Sequence, residues 1–407
     1  MRTPVIITAV LLAAATTVAA TGDALYRLPI GDPARKDRDV PVVLDTMIDT
    51  ATARTITPDD LAASLAATRL LLLGESHTSV ESHRVQLQVL RALQRSGRRV
   101  LVGLEMYPYT AQPALDGWNA GDLSEAAFVE QSRWYANWGY NWNYYRDIFV
   151  FARESRIALH AVNAPREVVA AVRKKGFANL TPEEAAHIPT DIEGETPDHR
   201  AFFKASIEDG DSAHPGMSDE AMNGMLAAQT TWDATMGWNA VKALKAANDP
   251  KAIMVVLVGS GHVAYGVGIE RQARRWVDGA VTTIGPVPVA DDNGTPITQA
   301  RASYANIVYG VAGERDSAYP SLGVSSMPAE GGRTIIDVQK DTPGEAAGLA
   351  VGDVIVTIDG QAVTSSELFS RVMAGKLWGD VVHLGITRAG AAKMIDIPLR
   401  RVAKRPT

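Results

Sequence analysis

The chain contains no cysteine. That absence removes disulfide bonds, thiolate metal ligands, thioether attachment of a cofactor and an acylated N-terminal cysteine, so the fold must be held by its cores alone. A basic excess is missing too: 40 Lys and Arg face 46 Asp and Glu, a formal charge of −6 with a pI near 5.8. Nucleic acid, which is met by a basic stripe, is therefore not an expected partner. Also absent is any uninterrupted apolar run of the ~20 residues a spanning helix needs. The first apolar run, residues 5–15, follows Arg2, contains Thr8 and leads to Val18-Ala19-Ala20, the small-residue pattern of a signal-peptidase site. Residues 1–20 read as a signal peptide, and the mature protein is expected to be periplasmic or secreted with no transmembrane segment.

What is present fits two globular domains, since 407 residues exceed what one core usually accommodates and 46% hydrophobic content is ordinary for such domains. Four short apolar runs each end on polar groups. Residues 70–73 precede Gly74-Glu75-Ser76-His77, 100–102 precede Gly103-Leu104-Glu105, 157–162 precede Asn163, and 253–258 precede Gly259-Ser260-Gly261-His262. They read as buried strands, and helical patterns between them, such as residues 80–95, predict parallel pairing with helices on both faces. Ligands of such sheets bind beyond the carboxyl ends of the strands, where Glu75, His77, Glu105, Asn163 and His262 are all expected. Residues 165–250 read as a helical insertion broken by Pro182, Pro189, Pro197 and Pro215; "RASYANIVYG" reads as a last strand and "AGERDSAYPS" as a linker. From Ser321 the texture shifts to short strands and Gly-rich turns. The fold class is α/β, a parallel-type sheet flanked by helices, followed by a small mainly-β domain.

Glu75, His77, Glu105 and His262 form the candidate catalytic group. His77, Glu105 and His262 are of the types that bind zinc, manganese or cobalt while leaving a position open for water. A bound water acidified to a pKa of ~7 would support hydrolysis. The plainer alternative is that these groups cap helices and bond one another. His83 reads as an exposed helix residue, the alternative being a partner standing behind His77. Gln229 and Asp233 share a helix face with Met222, Met225 and Met236 and could orient a histidine through its second nitrogen. Nine of the chain's 26 aromatics fall within residues 134–151. Such density suits either a slot for a planar ligand or an aromatic core under the insertion.

Taken in order, "LLGESH", "GLEM", "NWNYYRDIFVFARE", "AVNAPRE", "QTTWDATM" and "LVGSGHV" resemble the ChaN haem-binding uptake family, within the Tiki, TraB and erythromycin-esterase-like superfamily, over residues 23–313. The resemblance implies haem handling in iron uptake. Its Tiki-like branch implies metal-dependent hydrolysis through His77, Glu105 and His262. ChaN-like members are often lipid-anchored, and no cysteine is present here to carry a lipid. For haem, the expected ligands are tyrosines, Tyr145 and Tyr265, since cysteine is absent and the rim histidines are engaged elsewhere.

"PSLGVSSM", "DTPGEAAGLAVGDVIVTIDGQAV", "SELFSRVMAG" and "WGDVVHLGITRAG" are similar to a PDZ domain over residues 318–402. The similarity implies capture of a protein C-terminus by the amides of Leu322, Gly323 and Val324, with Leu322, Val324, Leu368 and Val372 forming the side-chain pocket. The combined expectation is an exported haem-binding protein with a peptide-binding module. The alternative is a metal-dependent hydrolase, Tiki-like protease or esterase.

Overall fold

A computed structural model describes residues 23–402 apart from 210–217, 292, 315 and 316. The signal-peptide reading therefore lies outside the described residues. Ten strands form the first unit: β1 (Asp39–Pro41), β2 (Met47–Asp49), β3 (Arg54–Ile56), β4 (Thr68–Glu75), β5 (Val100–Pro108), β6 (Ala158–Asn163), β7 (Ile253–Gly259), β8 (Ala280–Pro288), β9 (Gln299–Arg301) and β10 (Ile307–Val311). Eight of them make one sheet in the order β3-β2-β10-β8-β4-β7-β5-β6. From β10 to β6 every neighbour is parallel, and β2 and β3 add an antiparallel margin.

The central strands are apolar throughout because both faces are covered. Leu70, Leu71, Leu72 and Leu73 are all 0% exposed, and each buried leucine is worth roughly 1.5–3 kcal/mol. Their alternation sorts them into two cores. Leu71 and Leu73 join Val102, Leu104, Val255 and Leu257 under the Val80–Arg95 helix and the aromatic segment. Leu70 and Leu72 join Met254, Val256 and Val258 under the Asp219–Ala246 helix, through Met236, Ala240 and Leu244. Ser79 starts the first helix by accepting the Ser82 N–H, and Ser218 starts the second by accepting from Ala221. The 28-residue Asp219–Ala246 helix lies against β6 and β7. It is thus a layer of the fold itself, whereas the sequence suggested an inserted cap.

A second sheet, order β11-β12-β13-β15-β16 with β14 beside β13, is antiparallel throughout. Its strands are β11 (Val324–Ala329), β12 (Gly332–Val338), β13 (Val354–Ile358), β14 (Gln361–Ala362), β15 (Val381–Arg388) and β16 (Ala391–Pro398). The Ser366–Ala374 helix of this unit packs on the Trp134–Asn137 turn of the first. Arg133 pairs with Glu367 and Arg371 with Glu130, both at 3.0 Å, and Asn141 Nδ2 donates to the Ala374 carbonyl at 3.2 Å. Among the described residues no helix is long and apolar enough to cross a membrane.

Candidate functional site

Parallel pairing brings the carboxyl ends of β4, β5, β6 and β7 to one rim. Glu75 ends β4, Gly259 ends β7, and Glu105 lies one residue past the last β5–β7 pair, Leu104 with Leu257. Asn163, at the end of β6, donates Nδ2 to the Glu105 carbonyl at 2.8 Å and so fixes the backbone there. His262 follows on the Ser260–His262 turn.

At the centre is Glu105. Its Oε1 lies 3.2 Å from His262 Nε2, and its Oε2 accepts the Gly259 N–H at 2.7 Å. A Cβ on Gly259 would stand 2.8 Å from His77 Cε1 and 3.3 Å from His77 Nε2, so only glycine lets these groups close up. His262 Nδ1 is 2.6 Å from Asp233 Oδ1. A carboxylate only accepts, so Nδ1 carries the proton. The Gln229 carboxamide nitrogen sits 2.8 Å from the same Nδ1, a contact that is favourable with the amide turned to present its oxygen. Burial would lower the His262 pKa, but the charges of Asp233 and Glu105 overcome it and raise it to about 10. Glu105 is held below its ordinary value: burial opposes this, and the charge and hydrogen bond of His262 outweigh it.

On the other side His77 Nδ1 lies 2.9 Å from Glu75 Oε1. Glu75 is 2% exposed. Burial would raise its pKa, yet the charge of His83 and the hydrogen bond from His77 hold it well below the usual carboxylate range. The His77 side chain is 29% exposed, and among the described residues its Nε2 has no hydrogen-bond partner. Trp138 stands edge-on to its ring, centroids 4.6 Å apart, and Tyr140 tilts over it at 5.3 Å. The Tyr140 hydroxyl makes no hydrogen bond among the described residues.

The rim group expected from sequence is thus brought together, with Gln229 and Asp233 behind His262. Among the described residues, however, there is no group of three His, Cys, Asp or Glu placed to hold a metal ion. Glu105 pairs with His262 and Glu75 with His77, so the rim groups meet as two ion-paired, hydrogen-bonded pairs. The two expected haem ligands are corrected. Tyr145 is 0% exposed and its hydroxyl donates to Glu75 Oε1 at 2.5 Å. Tyr265 is 3% exposed, donates to the Leu25 carbonyl at 2.7 Å and accepts the Leu28 N–H at 3.0 Å, tying down the N-terminal segment. Burial drives both phenols further from ionisation. His83 is corrected as well: it is 5% exposed, with Nε2 3.5 Å from Glu75 Oε2.

Most of the aromatic run forms the core that one of its readings expected. Trp134, Trp142, Tyr145 and Phe149 form the buried core, while Trp138 and Tyr140 reach back to His77. Sequence reasoning missed Trp138, Tyr140 and Gln86. The last had a readable signal, a polar residue within the apolar stripe of the Val80–Arg95 helix, where it is fully buried.

In the second unit Gly323 has φ +69°, and a Cβ there would lie 2.3 Å from Thr342 Cγ2, so this loop requires glycine. The Gly323 N–H bonds the Ser321 hydroxyl at 3.1 Å. β11, which follows, is an outer strand of its sheet. Leu368 and Val372 line a cavity of about 670 Å³ with Asp359, Gln361, Lys376 and His383. Val372 and Val324 both pack against the core that contains Leu322.

The family model described as haem-binding uptake, Tiki superfamily, ChaN matches residues 61–272, a little over half of the chain, and a PDZ model matches residues 320–399. A solved structure, cofacial heme binding to ChaN of Campylobacter jejuni, superposes with a TM-score of 0.51 at 17% identity, covering 67% of this chain and 96% of that one, a likeness of fold. Serine protease HTRA1 of Xenopus tropicalis is 43% identical over 68 residues, and magnetosome formation protease MamE of Magnetospirillum gryphiswaldense 38% identical over 66. The chain spans only 14% and 8% of the length of those two relatives. By the extent of the family match, the chain belongs to the ChaN haem-binding uptake family of the Tiki superfamily and carries a PDZ domain.

Proposed function

We propose that this protein binds haem at the rim beside His77 and an extended peptide at its PDZ domain, as an exported component of haem or iron uptake. One observation carries the haem reading. The His77 side chain is partly exposed, its Nε2 has no hydrogen-bond partner among the described residues, and Trp138 and Tyr140 stand against its ring, which supplies a donor atom with aromatic neighbours. Haem would be held there by His77 or Tyr140 at the iron and by Trp138 against the ring. When bound, it supplies a coordinated iron to carry or to exchange. The chain's own part is to hold the His77 ring in place through Glu75 and to keep His262 charged between Asp233 and Glu105. The hydrolase alternative gains less support. A histidine held protonated to about 10 is a poor general base, and the described residues offer no metal-holding trio.

Titrating the protein with haemin is expected to give a saturable Soret shift at stoichiometric ratio. His77→Ala should weaken it at least ~10-fold, equivalent to ~1.4 kcal/mol. A spectrum identical to free haemin at protein excess would remove haem from the account.

For the PDZ domain, the outer position of β11 and the glycine-dependent loop before it support strand addition by a peptide ending in a free carboxylate. Because Gly323 tolerates no side chain, the discriminating change belongs in the peptide. With the full chain, a peptide ending in a free apolar residue should bind saturably, and its C-terminal amide at least ~10-fold more weakly. Equal binding of the two would place the peptide elsewhere.

A further inference from the structure

We propose that Tyr145, together with Gln86, is a positioning residue that acts through Glu75 on His77, fixing the proton on Nδ1 and turning Nε2 to the ligand. The inference rests on the reading that His77 meets the ligand, and it deepens that reading by naming what aims the ring.

Glu75 is a buried carboxylate, and leaving such a charge uncompensated costs several kcal/mol. It is compensated with unusual completeness. Oε1 accepts Tyr145 Oη at 2.5 Å and His77 Nδ1 at 2.9 Å; Oε2 accepts Gln86 Nε2 at 2.6 Å. His83 Nε2 stands 3.5 Å from Oε2. These groups come from the Val80–Arg95 helix, the aromatic segment and the loop after β4. A buried polar cluster of this kind adds little stability over an apolar replacement of equal volume. Its distinctive product is orientation. An ionised carboxylate held by Tyr145 and Gln86 can only accept from His77, so Nδ1 carries a proton and, on the neutral ring, Nε2 is the nitrogen left with a lone pair.

The clamp is rigid. Tyr145 is fully buried, edge-on to Trp134 at 5.3 Å and to His83 at 4.2 Å, so its hydroxyl is held on Glu75. It also lies 3.4 Å from the His77 carbonyl, touching both the side-chain partner and the backbone of the residue it aims. The second imidazole supplies the contrast. His262 is tethered the same way through Nδ1 to Asp233, but its Nε2 is closed off by Glu105 at 3.2 Å. Two carboxylate-tethered histidines thus flank Glu105, and only His77 leaves a nitrogen open. A tethered Nδ1–H is the arrangement by which proteins orient ligating imidazoles and raise their donor strength.

The test uses the full chain with ¹⁵N-labelled histidine, first without any ligand. In the wild type, His77 should show a protonated Nδ1. Tyr145→Phe should retain the circular dichroism of the wild type while moving the His77 nitrogen shifts toward a mixture of tautomers. Glu75→Gln replaces an acceptor-only group by one that can donate, and it should populate the Nε2–H form. Added haemin should then show a displaced Soret maximum and ~10-fold weaker binding in Tyr145→Phe, while Phe151→Leu, a change in the same aromatic segment that leaves Glu75 untouched, keeps the wild-type spectrum. Unchanged His77 shifts in both Tyr145→Phe and Glu75→Gln would overturn the assignment even if haemin binds. If haemin fails to bind the wild type, the haem reading falls, and the ligand-free spectra still decide whether Tyr145 and Glu75 set the ring.

Discussion

Raising the pH from 6 to 10 is expected to remove several kcal/mol of folding stability, and replacing His262 by glutamine should flatten most of that dependence. In the folded chain His262 is held at about 10 against an ordinary 6.5, by Asp233 and Glu105 acting over the opposing effect of burial. A raised pKa means the folded state binds the proton more tightly. Its contribution is complete below pH 6.5 and drains away as the pH climbs to 10, by at most ~5 kcal/mol. Acid acts in the opposite sense. Glu75 and Glu105 are both held below the ordinary 4.5, so what they contribute is present above pH 4.5 and lost as the pH falls further. The stability optimum should therefore sit between about pH 4.5 and 6.5. Urea midpoints at half-unit steps would show it. A slope between pH 6.5 and 10 that is the same in wild type and His262→Gln would mean the buried ion pair is not what the folded state gains.

Trp134→Ala is expected to cost ~3–5 kcal/mol, the range for deleting a large aromatic from a closed core. Trp134 is 0% exposed, with Trp142 at 5.0 Å and Phe149 at 5.9 Å, both edge-on, and its Nε1 donates to the Tyr140 carbonyl at 2.7 Å. Alanine leaves a cavity and an unmet carbonyl in the same stroke. That carbonyl belongs to the loop that places Trp138 and Tyr140 beside His77, so haemin binding should weaken alongside stability. Trp276, only partly buried and packed against Trp238 over the other core, is the control and should cost much less as alanine. Equal urea-denaturation losses at the two positions would deny residues 134–151 their role as a core.

Much of this architecture is legible along the chain for a definite reason. A strand covered on both faces writes an unbroken apolar run, and a polar group directly after it marks the strand's end. In that way 70–73, 100–102, 157–162 and 253–258 announced β4 to β7, and Glu75, Glu105, Asn163 and His262 announced the rim. The three-residue strands β2 and β3 gave no such run, because a strand that short cannot write one. The Asp219–Ala246 helix was readable as a helix but not as a layer of the sheet, since its apolar residues spread round much of its circumference.

By itself the sequence determined the two-unit α/β plus β organisation, the set of residues gathered at the rim, and Gln229 and Asp233 as partners of a histidine. These depend on local periodicity, on strand ends and on spacing along one helix, all of which are written in consecutive residues. Only the tertiary structure decided which groups are spent and which are open. Tyr140 and Tyr145 lie five apart in one aromatic run, yet among the described residues one hydroxyl beside His77 makes no hydrogen bond and the other is bound to Glu75. His77 and His262 each follow a strand end, yet among the described residues one Nε2 has no hydrogen-bond partner and the other faces Glu105. A hydrogen bond between residues 70 positions apart leaves no periodic trace, because it is settled by how strands and loops stack after the chain has folded.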